Sequence, residues 1–332
     1  MSAIAVSASV HARAAVPAYR VLDEQQERAE STDPRTGWHA ATLPRWAPPN
    51  PVECGRGGVH NRAGMGPVTL SGLNVYPVKS AAGIALTAAR VDGRGLAGDR
   101  RWMVVDENRS FLTQRAHPRL ALVSVALEGG RLKLTAPGMA TLAIPTPPAG
   151  TPAVRVQVWD DVCDAVLGGE EAARWLEGFL GLTCELVYMP DVVHRAVGSL
   201  GTAPAAEVGF ADAYPFLLVS EASLADLNSR VERPLPMNRF RPNLVVRGCA
   251  PYAEDGWRRI RVGEVTFQVV KPCSRCTTTT VDQATAKRGR EPLATLATYR
   301  RVGSKVMFGQ NLVHERQGWL RLGDEVTVLE HA

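Results

Sequence analysis

The sequence contains no run of about 18 consecutive apolar residues, so nothing in it reads as a helix long enough to span a bilayer. Basic runs are missing as well: the formal net charge is only +5, and no five or six lysines or arginines stand together, which gives a nucleic-acid partner little support. Six cysteines in 332 residues are too few and too scattered for a disulfide scaffold, and a reducing cytoplasm is the expected compartment. Helical periodicity is scarce, and no internal repeat is visible.

What is present sorts into three parts. Residues 1–66 lack sustained periodicity and collect "DEQQERAESTDPRTG" and "RWAPPNP", which reads as a poorly ordered leader. Residues 3–10 are small and apolar, but no lysine or arginine precedes them as a secretory signal requires. Met65 offers an alternative start, since "MGPVTLSGLNVYPVKS" enters a strand pattern within a few residues. From Val68 onward come short β-branched runs bounded by turn residues: "VTLSGLNVYPV", "RWMVVDE", "LALVSVALEG", "RLKLTAP", "AVRVQVW", "CDAVLG", then "NLVVRG", "IRVGEVTFQVV" and "GWLRLGDEVTVL". Spacing of this kind predicts a mainly β fold with peripheral helices, built as two barrel-like parts over residues 67–190 and 191–332. Two helices are expected. "GEEAARWLEGFLG" carries acids in its first turn, Ala173, Leu176 and Leu180 on one side, and Gly181 as its stop; "SEASLADLNSRV" has Ser220 as N-cap and Leu224, Leu227 and Val231 on one face.

The stretch richest in chemistry is "VVKPCSRCTTTTVDQ", residues 269–283. Cys273 and Cys276 supply two ligands of the four that structural zinc requires, and neither a second C-x-x-C nor an H-x₃₋₅-H exists to complete the set. A redox dithiol requires its first thiol at a helix N-terminus, whereas Thr277–Thr280 are β-branched and favour a strand. Two readings stay open: a thiolate beside the cation Arg275, suited to a soft or high-valent metal, and a pair of packed core thiols.

Taken together, "LNVYPVKS", "GLAGDRRWMVVDE", "PRLALVSV", "FRPNLVV", "KPCSRCTTTTVD", "EPLATLATYR", "FGQNLV" and "LRLGDEVTVL" resemble the MOSC-domain proteins, in their N-terminal β-barrel and in their molybdenum-cofactor domain. "SEASLADLNSR" followed by "FRPN" is similar to the group of the mitochondrial amidoxime-reducing components and their bacterial relatives. The resemblance implies a molybdopterin cofactor whose metal is held by the second thiol of the pair, which falls on Cys276. Cys273 is then a packed thiol, as are Cys54, Cys163, Cys184 and Cys249.

The resemblance also assigns cofactor contacts. Lys79 and Ser80 follow Pro77, where the chain leaves a strand; alone, Lys79 reads as a solvated surface residue, and no P-loop glycines accompany it. Arg100 is the ligand-facing arginine of "GDRRW", with strand alternation turning Arg101 to the other side. Gly93, Gly95 and Gly98 match a dinucleotide fingerprint but precede a strand pattern, and so read as turn chemistry. Arg241 and Asn243, two apart around Pro242, point the same way in an extended chain and suit phosphate and pterin edges. Ser274 is placed to donate to the pterin, Gln310 and Asn311 of "FGQN" are weaker candidates on a loop, and Asp212 is a neighbour of the site.

By the same resemblance the activity is molybdenum-cofactor-dependent reduction of small N-hydroxylated compounds, with oxygen passing to molybdenum. The alternative is a molybdenum-cofactor or sulfur carrier without turnover. Binding of pyridoxal phosphate is a further expectation. The cysteines show no iron–sulfur cluster spacing, so electrons are expected from a separate donor, a flavin reductase with a ferredoxin or haem protein.

Overall fold

The structure, a computed structural model, describes residues 66–196 and 206–332. The expectations for the leader and for the alternative start at Met65 lie outside the described residues.

The largest sheet has nine strands. Its order runs Val326–His331, Trp257–Val262, Val265–Ser274, Lys305–His314, Phe216–Ser220, Leu244–Arg247, Thr69–Val75 and Ile84–Ala85, with Arg301–Val302 paired to the side. Leu70 N–H donates to Asp324 O and Val326 N–H to Val68 O, each at 2.8 Å, so the two ends of the sheet meet and it closes on itself. Closure removes the exposed edges that an open sheet would present. Most pairings are antiparallel, and Phe216–Ser220 runs parallel to Leu244–Arg247. Inside lie Leu70, Leu73, Phe216, Leu218, Leu244, Val246, Ile260, Phe267 and Leu312, all buried. Leu70 and Leu73 both face inward although three residues apart, because a bulge interrupts the register between Leu70 and Gly72. Gly72 is required there: a Cβ would lie 2.9 Å from that of Val245.

Strand pairing does not follow the sequential division at residue 190. Thr69–Val75 belongs to the nine-stranded sheet, and Ala88–Asp92 pairs with Gly318–Arg321. The remaining early strands form a four-stranded sheet (Trp102–Asp106, Cys184–Tyr188, Asp161–Leu167, Ala153–Val158) and a three-stranded one (Ser124–Glu128, Arg131–Thr135, Leu142–Pro145). Helix Glu170–Leu180 packs beside them. Its buried face is Ala172, Trp175, Leu176 and Phe179, one register from the expected Ala173, Leu176 and Leu180, because the two aromatics carry the larger apolar area. Gly181 ends it in the left-handed region, at φ 76°. The first residues of "LALVSVALEG" form a 3₁₀ turn, Pro118–Leu122, which Pro118 opens, and the strand begins only at Ser124. Helix Glu221–Asn228 is capped as its sequence predicts, Ser220 Oγ accepting from Ser223 N–H at 3.0 Å.

Candidate functional site

Strand Val265–Ser274 delivers the cysteine loop. Cys276 is extended, at φ −105° and ψ 179°, and stands immediately before a 3₁₀ helix, Thr277–Thr280, where a strand was expected. The threonine hydroxyls account for the difference, since Thr279 Oγ1 donates back to Cys276 O at 2.9 Å and Thr280 Oγ1 to Thr277 O at 2.8 Å. The two thiols look into different surroundings. Cys273 packs against the cluster holding Leu217, Phe240 and Phe308 and receives Arg275 Nη1 at 2.9 Å, whereas Cys276 Sγ receives Arg115 Nη1 at 3.7 Å. They do not form a facing dithiol.

Arg115 is the side chain that reaches this thiol, and other loops carry the remaining candidate residues. After strand Thr69–Val75 the chain turns through Lys79 and Ser80, Ser80 in the left-handed region at φ 67°. Lys79 is buried: its ammonium donates to Phe210 O at 2.9 Å and pairs with the Asp212 carboxylate. Burial pulls its pKa down to about 8, with Asp212 working in the opposite direction. Ser80 offers its carbonyl to Gln114 Nε2 at 2.7 Å.

Arg100 and Arg241 converge as well, each with its guanidinium 4.3 Å from the centre of the Tyr76 ring. Neither lies in extended chain: both occupy the left-handed region, at φ 45° and 55°. The separation of Arg100 from Arg101 and the aim of Arg241 therefore arise from these turns, not from strand alternation. Arg100 Nη1 donates to Asp99 at 2.5 Å and to Asn243 Oδ1 at 3.1 Å, and Arg241 Nη1 donates to Ala81 O at 2.6 Å. Burial holds the Arg241 guanidinium down at about 10, a cost that Tyr76 partly offsets and the neighbouring Arg100 increases. Asn243 spends its side-chain groups on the protein itself. It is 1% exposed, its Oδ1 accepts from Arg100 and Leu217 N–H, and its amide donates to Asn74 O and Asp99. Ser274 ends its strand with an exposed side chain. "FGQN" lies inside strand Lys305–His314 and is no loop; Gln310 is buried on Asp255, and Asn311 donates to Pro272 O.

Asp212 sits at the centre of a second group of contacts. Its carboxylate accepts from Lys79 and from Trp159 Nε1 at 3.1 Å. Lys79 and Arg115 hold its carboxyl well below the usual carboxylate range, although the side chain is open to solvent. Arg115 lies on the Trp159 ring at 4.2 Å and reaches Cys276 from there, so a single chain of contacts joins Lys79, Asp212, Trp159, Arg115 and the thiol. The segment before Asp212 is pinned by cations: Arg195 Nη1 donates to Gly209 O at 3.0 Å and to Ala211 O at 2.6 Å, and Lys79 takes Phe210 O between them. Gly209 makes this possible, because a Cβ there would lie 2.5 Å from Arg100 O. Arg115, Trp159 and Arg195 are single residues from separate stretches, and no spacing in the sequence marks them.

Two features bear on what this site holds. Thr277 Oγ1, Arg275 Nε and Arg239 Nε are buried beside the thiol loop without a hydrogen-bond partner, donors that an oxygen-rich ligand would satisfy. Among the described residues no three His, Cys, Asp or Glu side chains converge on a point. A metal here would depend on one protein thiolate and on donors brought by a cofactor, and the residues present fit a molybdopterin in that respect.

The sequence pattern of the MOSC N-terminal beta barrel domain matches residues 67–183, and that of the MOSC domain matches residues 205–327. Mitochondrial amidoxime-reducing component 1 of Mus musculus is 38% identical over 279 residues, covering 79% of this chain and 82% of its own length. The chain belongs to the amidoxime-reducing component family of MOSC-domain proteins. Component 1 of Homo sapiens is 37% identical, with 79% of this chain and 83% of its own covered. Component 2 of Bos taurus is 36% identical, with 78% and 82% covered. Neither the family descriptions nor these relatives support the expected binding of pyridoxal phosphate. No helix among the described residues is long and apolar enough to cross a membrane.

Proposed function

We propose that this protein reduces the N–O bond of small N-hydroxylated compounds, using a molybdenum cofactor bound through the thiolate of Cys276. The observation that carries the reading is the setting of that thiol. It is half-buried against Arg115, joined through Trp159 and Asp212 to Lys79, with three orphaned donors around its loop. Family membership supplies the substrate class, since the relatives are named for reducing amidoximes.

When bound, the cofactor supplies two-electron oxygen-atom transfer. The balanced reaction is R–NHOH + 2 e⁻ + 2 H⁺ → R–NH₂ + H₂O. The chain's own residues have separable tasks. Cys276 is the metal's protein ligand. Arg241 and the Lys79–Ser80 turn hold the anionic end of the cofactor, and Ser274 presents an exposed hydroxyl beside the ligand thiol. Arg100 and Arg241 both rest on the Tyr76 ring, and Asn243 braces Arg100. Asp212 stays ionised at neutral pH and accepts hydrogen bonds, while the Lys79 ammonium, near 8, holds the proton that the pair shares. In this reading residues 67–190 supply Lys79, Arg100, Arg115 and Trp159, residues 191–332 supply the thiol, and a separate flavin reductase with a ferredoxin or haem protein supplies electrons in a reducing cytoplasm.

The test is substrate-dependent oxidation of a reduced viologen by cofactor-replete protein. Turnover is expected with benzamidoxime and N-hydroxylated bases, and none with NADH alone. Absence of turnover across several such compounds overturns the reductase and leaves a cofactor or sulfur carrier in its place.

A further inference from the structure

The loop that follows the cysteine helix carries positive charge the site itself does not use. Residues 283–290 read "QATAKRGR", without a single carboxylate, and Lys287, Arg288 and Arg290 are exposed. The two flanking acids are turned inward. Asp282 Oδ1 accepts from Ala284 N–H, Thr285 N–H and Thr285 Oγ1, and its other oxygen faces Arg239; Glu291 accepts from Thr295 N–H. Among the described residues no carboxylate pairs with Lys287, Arg288 or Arg290.

The loop is built, not merely solvated. Val281 bridges Arg288, Asp282 N–H donates to Lys287 O at 2.8 Å, and Gly289 N–H donates to Thr280 O at 3.0 Å. It also grips the residue that reaches the thiol. The Arg288 guanidinium donates to Arg115 O, and Gln283 and Gln114 exchange side-chain bonds at 2.8 and 3.1 Å. Its field is felt at the neighbouring His117, whose pKa is lowered by burial and then by Arg288.

We propose that the rim formed by Lys287, Arg288 and Arg290 is the docking surface for a small acidic one-electron carrier protein. The inference rests on the reductase reading, which requires two electrons per turnover, and it names where they enter. An ordered cationic loop loses little entropy on docking, and an unmatched cluster of one sign steers an oppositely charged partner. The bond from Arg288 to the backbone of Arg115 ties that surface to the residue in contact with Cys276. The carrier docks twice per catalytic cycle, giving one electron at each encounter, and the two protons come from solvent.

The test uses the full chain and two probes, an acidic [2Fe–2S] ferredoxin and an acidic b-type haem protein, with reduced viologen as the small-molecule comparison. The double variant Lys287→Glu/Arg290→Glu is expected to raise KM for whichever protein donor serves by roughly tenfold or more at low salt, within the range by which steering alters association. Viologen-driven turnover should be unchanged, as should both activities in Arg131→Glu on strand Arg131–Thr135. Lys287→Arg/Arg290→Lys should restore the wild-type KM. Calorimetric titration of each donor onto the protein reads the same surface without turnover, so a failed reductase and a failed docking surface are told apart. Donor KM and donor binding both indifferent to the charge reversal, or equally weakened by Arg131→Glu, would overturn the proposal. So would variants that lose co-sedimentation with phosphatidylserine vesicles while donor KM stays the same, because the rim would then be a membrane site.

Discussion

Two polar clusters in this protein are built from the same residue types and differ in their charge balance. Behind helix Glu221–Asn228, Arg230 forks onto Asp226, Arg300 pairs with Asp255 at 2.6 Å, and the Tyr252 and Tyr299 hydroxyls join at 2.8 Å. Arg300 lies over Tyr252 and Arg230 over Tyr299, each at 4.3 Å, and Gln310 completes Asp255. There each guanidinium has a carboxylate. Around Tyr76 the same stacking recurs, with Arg100 and Arg241 on the ring at 4.3 Å; Arg100 is ion-paired with Asp99, whereas among the described residues Arg241 makes no ion pair and donates to a backbone carbonyl. A matched network completes the fold. Arg241, held by a carbonyl and an aromatic ring, carries a solvation cost visible in its lowered pKa.

The sharpest way to break the comparison is to remove one arginine from each cluster. Arg300→Met leaves Asp255 buried without its ion pair and should cost about 3–5 kcal/mol in denaturant unfolding, with molybdenum per folded chain unaltered. Arg241→Met should do the reverse. Melting temperature should hold, while affinity for the cofactor falls by the roughly 1.5–3 kcal/mol of a charge-assisted contact. Metal loss from Arg300→Met, or severe unfolding from Arg241→Met, would erase the distinction.

A smaller effect separates the two roles of Lys79. Its folded value lies near 8, below the ordinary 10.5, so its stability term is fully present above about 10.5 and is lost as pH falls through about 8. Its hold on an anion runs the other way, weakening as the ammonium deprotonates above about 8. Metal release from wild type should therefore rise between pH 8 and 10 while unfolding free energy does not fall in step. Lys79→Met should abolish the dependence.

How much could be read from the sequence follows from where each property is encoded. The β character, the two helices and the cap at Ser220 are local patterns, and they are present. That Arg100 and Arg241 share the Tyr76 ring, and that Lys79 joins Cys276 through Asp212, Trp159 and Arg115, has no local pattern behind it, since each residue comes from a different loop. What escaped depends on conformations that propensity does not foresee. Left-handed turns at Arg100 and Arg241 replaced the pleat, and hydroxyl back-bonding wound four threonines into a helix. Asn243 looked like a ligand because its amide suits a pterin, yet its partners are Asp99, Asn74, Arg100 and Leu217. Arg115, Trp159 and Arg195 carry no local signal, as their positions become meaningful only when distant loops meet.

The central claim is that Cys276 alone among the cysteines ligates the metal, and elemental analysis of purified variants tests it directly. Cys276→Ser should fold normally, contain little or no molybdenum and show no turnover, whereas Cys273→Ser, altered on the side facing Phe240 and Phe308, should keep most of its molybdenum. Equal loss from both variants, or zinc in the wild-type protein, would contradict the account.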